Sequence, residues 1–136
     1  MIASSVLVRA AELFNRKLYF ECHDVLEDEW SGAHGEERRL LNALIHAAVG
    51  MYHLTAGNYA GASSQLEQAV NGLEAFRENA LGVDVALLVP ALERCLSKVI
   101  RGRSGEDVVW AADDVPVLAP VPAPVPANDA KRGVNA

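Results

Sequence analysis

Four residues on two neighbouring segments have the types and spacing to do chemistry. His23 and Glu27 stand four positions apart, which in a helix stacks an imidazole over a carboxylate on one face, with Trp30 continuing the line. Asn42, His46 and His53 follow at steps of four and seven, again a single helical face. Helices joined by a short turn pack antiparallel, so the two polar lines can meet and set three histidines against a carboxylate. Divalent transition metals accept imidazole and carboxylate ligands, and a catalytic centre keeps one position open for a water whose pKa the ion lowers. His23, Glu27, His46 and His53 could provide the ligand set of a zinc, iron or manganese ion. The same residues also fit a network that does no chemistry, because a buried His-Glu pair is held together simply by the cost of leaving it unpaired, on the order of 1 to 3 kcal/mol. Nothing in the chain has the tightness of a His-Glu-x-x-His signature.

The elements that must position these groups all read as helices. Ser4 or Ser5 caps a first helix with Val6, Ala10, Leu13 and Phe14 inward, ending near Asn15 to Lys17. A second spans about Leu18 to Trp30 with Tyr19, Cys22, Leu26 and Trp30 on its apolar stripe, and Ser31-Gly32 and Gly35 break it. The third, Glu36 to Ala56, buries Leu41, Leu44, Ile45, Ala48 and Tyr52 and stops at Gly57, leaving Asn58 to cap the fourth. In the fourth, Ala62, Leu66, Ala69, Leu73 and Phe76 face inward and Glu67, Glu74 and Arg77 face water, with the end near Ala80 to Gly82. The fifth covers Leu88 to Ile100, because Pro90 suits a first turn and would break an interior. Tyr19, Cys22, Leu26 and Glu27 are echoed 40 residues later by Tyr59, Ala62, Leu66 and Glu67, which suggests two stacked helical hairpins with the fifth helix as a lid. The fold class is therefore all-α, a compact antiparallel bundle of about five helices.

Composition bounds the rest. A chain of 136 residues, half of them hydrophobic, holds one core. Eighteen acidic against twelve basic residues give a net charge of -6, which disfavours nucleic acid and anionic membrane surfaces as partners. Cys22 and Cys95 sit among apolar residues as free thiols. No basic leader with a long apolar stretch opens the chain and no segment offers 18 uncharged apolar residues, so a cytoplasmic address is expected. Five of the six prolines fall between Pro116 and Pro126, which divides the chain into a helical domain, 1–110, and a proline-rich, flexible and disordered tail, 111–136. Val108, Val109 and Trp110 are the residues expected to dock back on the helices. A homodimer, and a protein partner held by a helical groove or by the tail, are the associations left open.

A resemblance adds to this reading. The run Phe14-Asn15-Arg16-Lys17-Leu18-Tyr19-Phe20-Glu21-Cys22-His23-Asp24-Val25-Leu26-Glu27 with Trp30, followed by Leu41-Asn42-Ala43-Leu44-Ile45-His46, Tyr52-His53-Leu54, Gly57-Asn58 and Gly61-Ala62, resembles the family catalogued as domain of unknown function 309. The resemblance covers about residues 6 to 80 and implies a small helical bundle. Members are commonly labelled predicted metal-dependent hydrolases, which makes hydrolysis of a small ester, amide or phosphoester the implied activity. Lys17 stands where the family usually has glycine, Asp24 where it has glutamate, and Asn42 and His46 at places that resemble glutamine positions. Two functions follow as expectations: a metal-dependent hydrolase in which His23, Glu27 and His53 hold the metal, Glu27 and His46 are catalytic and His46 or Asn42 orients the water, or a non-catalytic helical protein-interaction module in which the His/Glu cluster is a structural hydrogen-bond network.

Overall fold

Apolar residues at helical spacing, punctuated by residues that tolerate a left-handed backbone, account for the architecture of the computed structural model, which describes residues 2–78 and 81–121. Among these residues there are five α-helices: α1 (Ser4–Asn15), α2 (Tyr19–Gly32), α3 (Gly35–Thr55), α4 (Tyr59–Leu73) and α5 (Val85–Arg103), with 3-10 turns at Glu74–Phe76 and Ala112–Asp114. Consecutive helices pack against each other and share one core, built from Leu7, Leu13 and Phe14 of α1, Cys22 and Leu26 of α2, Leu40, Leu41 and Leu44 of α3, Leu66 and Leu73 of α4, and Leu88, Leu92 and Val99 of α5. No helix among the described residues is long and apolar enough to cross a membrane.

The internal echo has a physical counterpart. α1 and α3 end in the same corner. Leu18 N–H donates to Leu13 O at 2.8 Å and Lys17 N–H to Phe14 O at 3.0 Å, just as Asn58 N–H donates to His53 O at 2.8 Å and Gly57 N–H to Leu54 O at 3.0 Å. Both are Schellman ends, in which the residue after the cap must take a positive φ. Gly57 does so at 77° and Lys17 at 63°. After each corner a tyrosine opens the next helix, and Cys22 and Leu26 in one hairpin match Ala62 and Leu66 in the other, all four fully buried.

α3 and α4 approach most closely. A side-chain carbon added at Gly50 would stand 2.8 Å from Leu66 Cγ and 3.1 Å from its backbone nitrogen, and one at Gly72 would stand 2.9 Å from Ala43 Cβ. The antiparallel register pairs Ala43 with Gly72 and Gly50 with Leu66, so small residues set the helix separation.

Some elements differ from expectation. α1 begins at Ser4 behind Ala3, with no side-chain cap. α4 gives way to a 3-10 turn at Glu74, and Ala80, where its end was expected, lies outside the described residues. α5 starts three residues early, because Asp84 Oδ1 accepts the Leu87 N–H at 3.0 Å and nucleates the first turn. Pro90 therefore sits inside the helix, where the carbonyl it leaves without a donor belongs to exposed Ala86 and can face water. Tyr52, expected inside, is 45% exposed.

The chain after α5 is also bound further than its composition suggests. Lys98 Nζ donates to Val109 O at 2.7 Å and pairs with the Asp114 carboxylate. Trp110 packs on the core while Val109 points outward. Leu118 is only 3% exposed, and an isolated antiparallel bridge joins Pro120 to Val83. Residues 111–121 of the expected tail thus lie against the helices; 122–136 lie outside the described residues.

Candidate functional site

The cluster on α2 begins with helical periodicity. His23 and Glu27, one turn apart, are joined by a 2.8 Å contact between Nε2 and Oε2, and Asp24 Oδ1 stands 3.4 Å from Nδ1 on the other side of the ring. Ligand atoms of His23, Asp24 and Glu27 all lie within 4.8 Å of one another. A neutral imidazole donates from one nitrogen. With Nε2–H given to Glu27, Nδ1 is left buried and without a hydrogen bond, since an unprotonated nitrogen and the Asp24 carboxylate are both acceptors. Two donors sharing one tetrahedral ion at about 2.1 Å each stand about 3.4 Å apart. The 2.8 Å spacing is that of a hydrogen bond, and the two carboxylates approach different nitrogens.

The other two histidines turn elsewhere. His46 Nδ1 meets Gln65 Oε1 at 2.7 Å, which ties α3 to α4. His53 Nδ1 accepts from Asn58 Nδ2 at 3.4 Å, while Asn58 Oδ1 accepts the Gly61 N–H at 2.9 Å. His53 thus orients the amide that caps α4. Its ring lies so close that a side-chain carbon at Gly61 would meet His53 Cγ at 2.9 Å. His53, Gly57, Asn58 and Gly61 form one corner, each residue explained by the turn it builds. Of the residues read from sequence, the structure brings together His23 and Glu27; His46 and His53 have partners of their own. Asn42 is exposed on α3.

Residues 7–65 match a family described as a domain of unknown function, DUF309. The matched segment is similar to that family over less than half of the chain. It spans α1 through the first half of α4 and so includes the α2 cluster, the His46–Gln65 pair and the His53 corner. No curated protein matches the chain.

The matched segment also carries a feature that sequence reasoning passed over. Phe20, one turn before His23, is 53% exposed and Tyr52 is 45% exposed. Ring centroids run Phe20 to His23 at 5.9 Å, Phe20 to Tyr52 at 5.9 Å and Tyr52 to His53 at 6.2 Å, a continuous aromatic and imidazole face across α2 and α3. Its sequence signal was the three-residue step from Phe20 to His23. Beside it, α2 carries Glu21, Asp24, Glu27, Asp28 and Glu29 and no lysine or arginine. Asp24, Glu27, Asp28 and Ser31 line a shallow solvent-open depression. Deeper in, Cys22 and Cys95 are fully buried, and burial pushes both thiols up to about 12. The Tyr19 hydroxyl, buried without a hydrogen bond, is likewise pushed up to about 12.

Proposed function

We propose that this chain is a non-catalytic, cytoplasmic helical module that binds a basic protein partner through the Phe20–His23–Tyr52–His53 face. The observation that carries this reading is the pair of exposed rings, Phe20 and Tyr52, packed on each other beside a helix with five acidic and no basic residues. Exposed aromatic side chains at the centre of a patch are the usual anchors of protein interfaces. The carboxylates beside them favour a segment that carries lysine or arginine next to an apolar side chain. His23, His46 and His53 support the same reading: each has a side-chain partner within the bundle, Glu27, Gln65 and Asn58. The test is affinity capture with cross-linking, comparing wild type with Phe20→Ser and Tyr52→Ser. Both variants should fold as wild type does and should lose a shared, salt-sensitive partner. A partner set that is the same for all three proteins refutes the reading.

A second reading rests on the close approach of His23, Asp24 and Glu27 ligand atoms. A rotation of Glu27 that opens the 2.8 Å contact to metal-ligand spacing would let His23 Nε2 and Glu27 hold a divalent ion, with solvent filling the remaining positions. Such an ion would supply the Lewis acidity a hydrolase needs. Zinc titration of wild type against His23→Ala decides it: binding near one ion per chain that the variant loses supports this reading, and equal weak binding by both proteins ends it.

A further inference from the structure

The acidic aromatic face lies within reach of a cationic stretch of this same chain. After α5 the chain is fastened beside the start of that face: the Asn15 side chain bonds both main-chain groups of Leu118, and Val121 N–H donates to Gly82 O at 2.8 Å. Asn15 closes α1 and Phe20 follows five residues later, so the two are separated by at most about 18 Å. Beyond Val121 come the only lysine and arginine after Arg103, the adjacent pair Lys131-Arg132, with Val134 two places on. The stretch from Val121 to Lys131 spans up to about 35 Å, enough to return past Asn15 and reach the face.

Charge decides what this stretch meets there. Arg77, Lys98 and Arg101 are each held by a carboxylate of their own or an adjoining element, Glu74, Asp114 and Glu106. Among the described residues no lysine or arginine pairs with a carboxylate of α2, although the helix carries five. Asp24, Glu27 and Asp28 line the open depression beside the rings. We propose that Lys131, Arg132 and Val134 occupy this face in the isolated chain, the two cations against the α2 carboxylates and the valine against Phe20 and Tyr52, so that a basic partner must displace them. The proposal rests on the reading of the face as a site for basic segments and makes the chain its own competitor. Exposed ion pairs are individually weak. The tether, however, holds the cations at an effective concentration of about millimolar, so a contact with a dissociation constant of that order is occupied about half of the time. At half occupancy a partner's apparent dissociation constant is about doubled.

The test uses the full chain with a nitroxide on Asn135→Cys. Cys22 and Cys95 are fully buried and stay unlabelled. Paramagnetic broadening of the Tyr52 ring signals is compared with that in the same labelled protein carrying Lys131→Glu and Arg132→Glu, whose tether is equally long and whose helices are unaltered. Broadening should fall by about half or more on charge reversal. Equal broadening in the two proteins overturns the proposal and leaves the partner reading to be decided separately by the capture experiment. Phe20→Ser in the labelled protein should also reduce it. Broadening that depends on Lys131 and Arg132 but not on Phe20 places the tail on another surface and likewise overturns the proposal. A free peptide of residues 122–136 gives a second readout. It should bind the charge-reversed protein about twofold more tightly than wild type, whose own tail competes with it, and equal affinities count against the proposal.

Discussion

Replacing Gly50 with alanine sets two effects of opposite sign against each other. The alanine gains about 1 kcal/mol of helix propensity in the middle of α3. Its Cβ would also stand 2.8 Å from Leu66 Cγ, 2.9 Å from Cδ2 and 3.1 Å from the Leu66 backbone nitrogen. A terminal methyl could rotate away, but a branch carbon and a backbone atom cannot, so α4 must shift by several tenths of an ångström. Overpacking of this kind costs about 1 to 3 kcal/mol, and the backbone contact places Gly50→Ala toward the upper end. The net expectation is a loss of about 1 to 2 kcal/mol, or about 3 to 8 °C in melting temperature for a domain of this size. Gly32→Ala is the matched control: Gly32 ends α2 with nothing within 4 Å, so only the propensity gain remains and its melting temperature should hold or rise. Calorimetry on the two variants checks the pair. If Gly50→Ala raises the melting temperature as Gly32→Ala does, the close α3–α4 contact is refuted.

Two other changes are expected to show in simple measurements. Lys17→Gly should raise the urea midpoint by the equivalent of about 0.5 to 1 kcal/mol, because it relieves a left-handed side chain at φ 63° and gives back part of that through the freer unfolded chain; an unchanged or lower midpoint counts against it. The Asp114 carboxyl, beside the Lys98 ammonium and accepting the Ala111 N–H at 2.8 Å, is held below its ordinary value of 3.8. Its contribution to stability is therefore present above that value and lost as the pH falls through the lower folded-state value. Asp114→Asn should be less stable than wild type at neutral pH, and the gap should close under acid; a gap that does not depend on pH contradicts the assignment.

How far the fold could be read from sequence depends on whether the deciding signal was local. The stripe Ala62, Leu66, Ala69, Leu73 and Phe76 is entirely buried, because a 3.6-residue period needs no knowledge of the partner. Pro90 points to a start of α5 at Leu88, and the Asp84 side chain, accepting the Leu87 N–H, moves it to Val85, a signal that is also local. Tyr52 looked like core because its spacing continues the α3 stripe; it lies beside the first turn of α2, at the bundle's edge, where no further helix covers it. At the site, the His23–Glu27 pair follows from a four-residue step. Gln65 could not be named as the partner of His46, since its helix offered several polar residues with nothing to rank them. The spacing places His53 on a helical face, and its contact with Asn58 comes from the corner that follows, which the spacing does not encode. The anchoring of Leu118 by Asn15, whose Nδ2 donates to the Leu118 carbonyl at 2.9 Å and whose Oδ1 accepts its N–H at 2.8 Å, had no local trace at all, and proline content pointed away from it.

The docked segment has a further consequence for how these molecules behave in crowded solution. A bound extended segment normally leaves its outer side as a template on which a foreign chain can grow a larger sheet. Here exposed Pro120, opposite Val83, withholds an amide hydrogen such growth would need, and the Asn15 side-chain amide already occupies both main-chain groups of Leu118 at 2.9 and 2.8 Å. The segment can complete its own fold without seeding filaments, and replacing Pro120 would weaken that safeguard while leaving the Asn15 bonds intact.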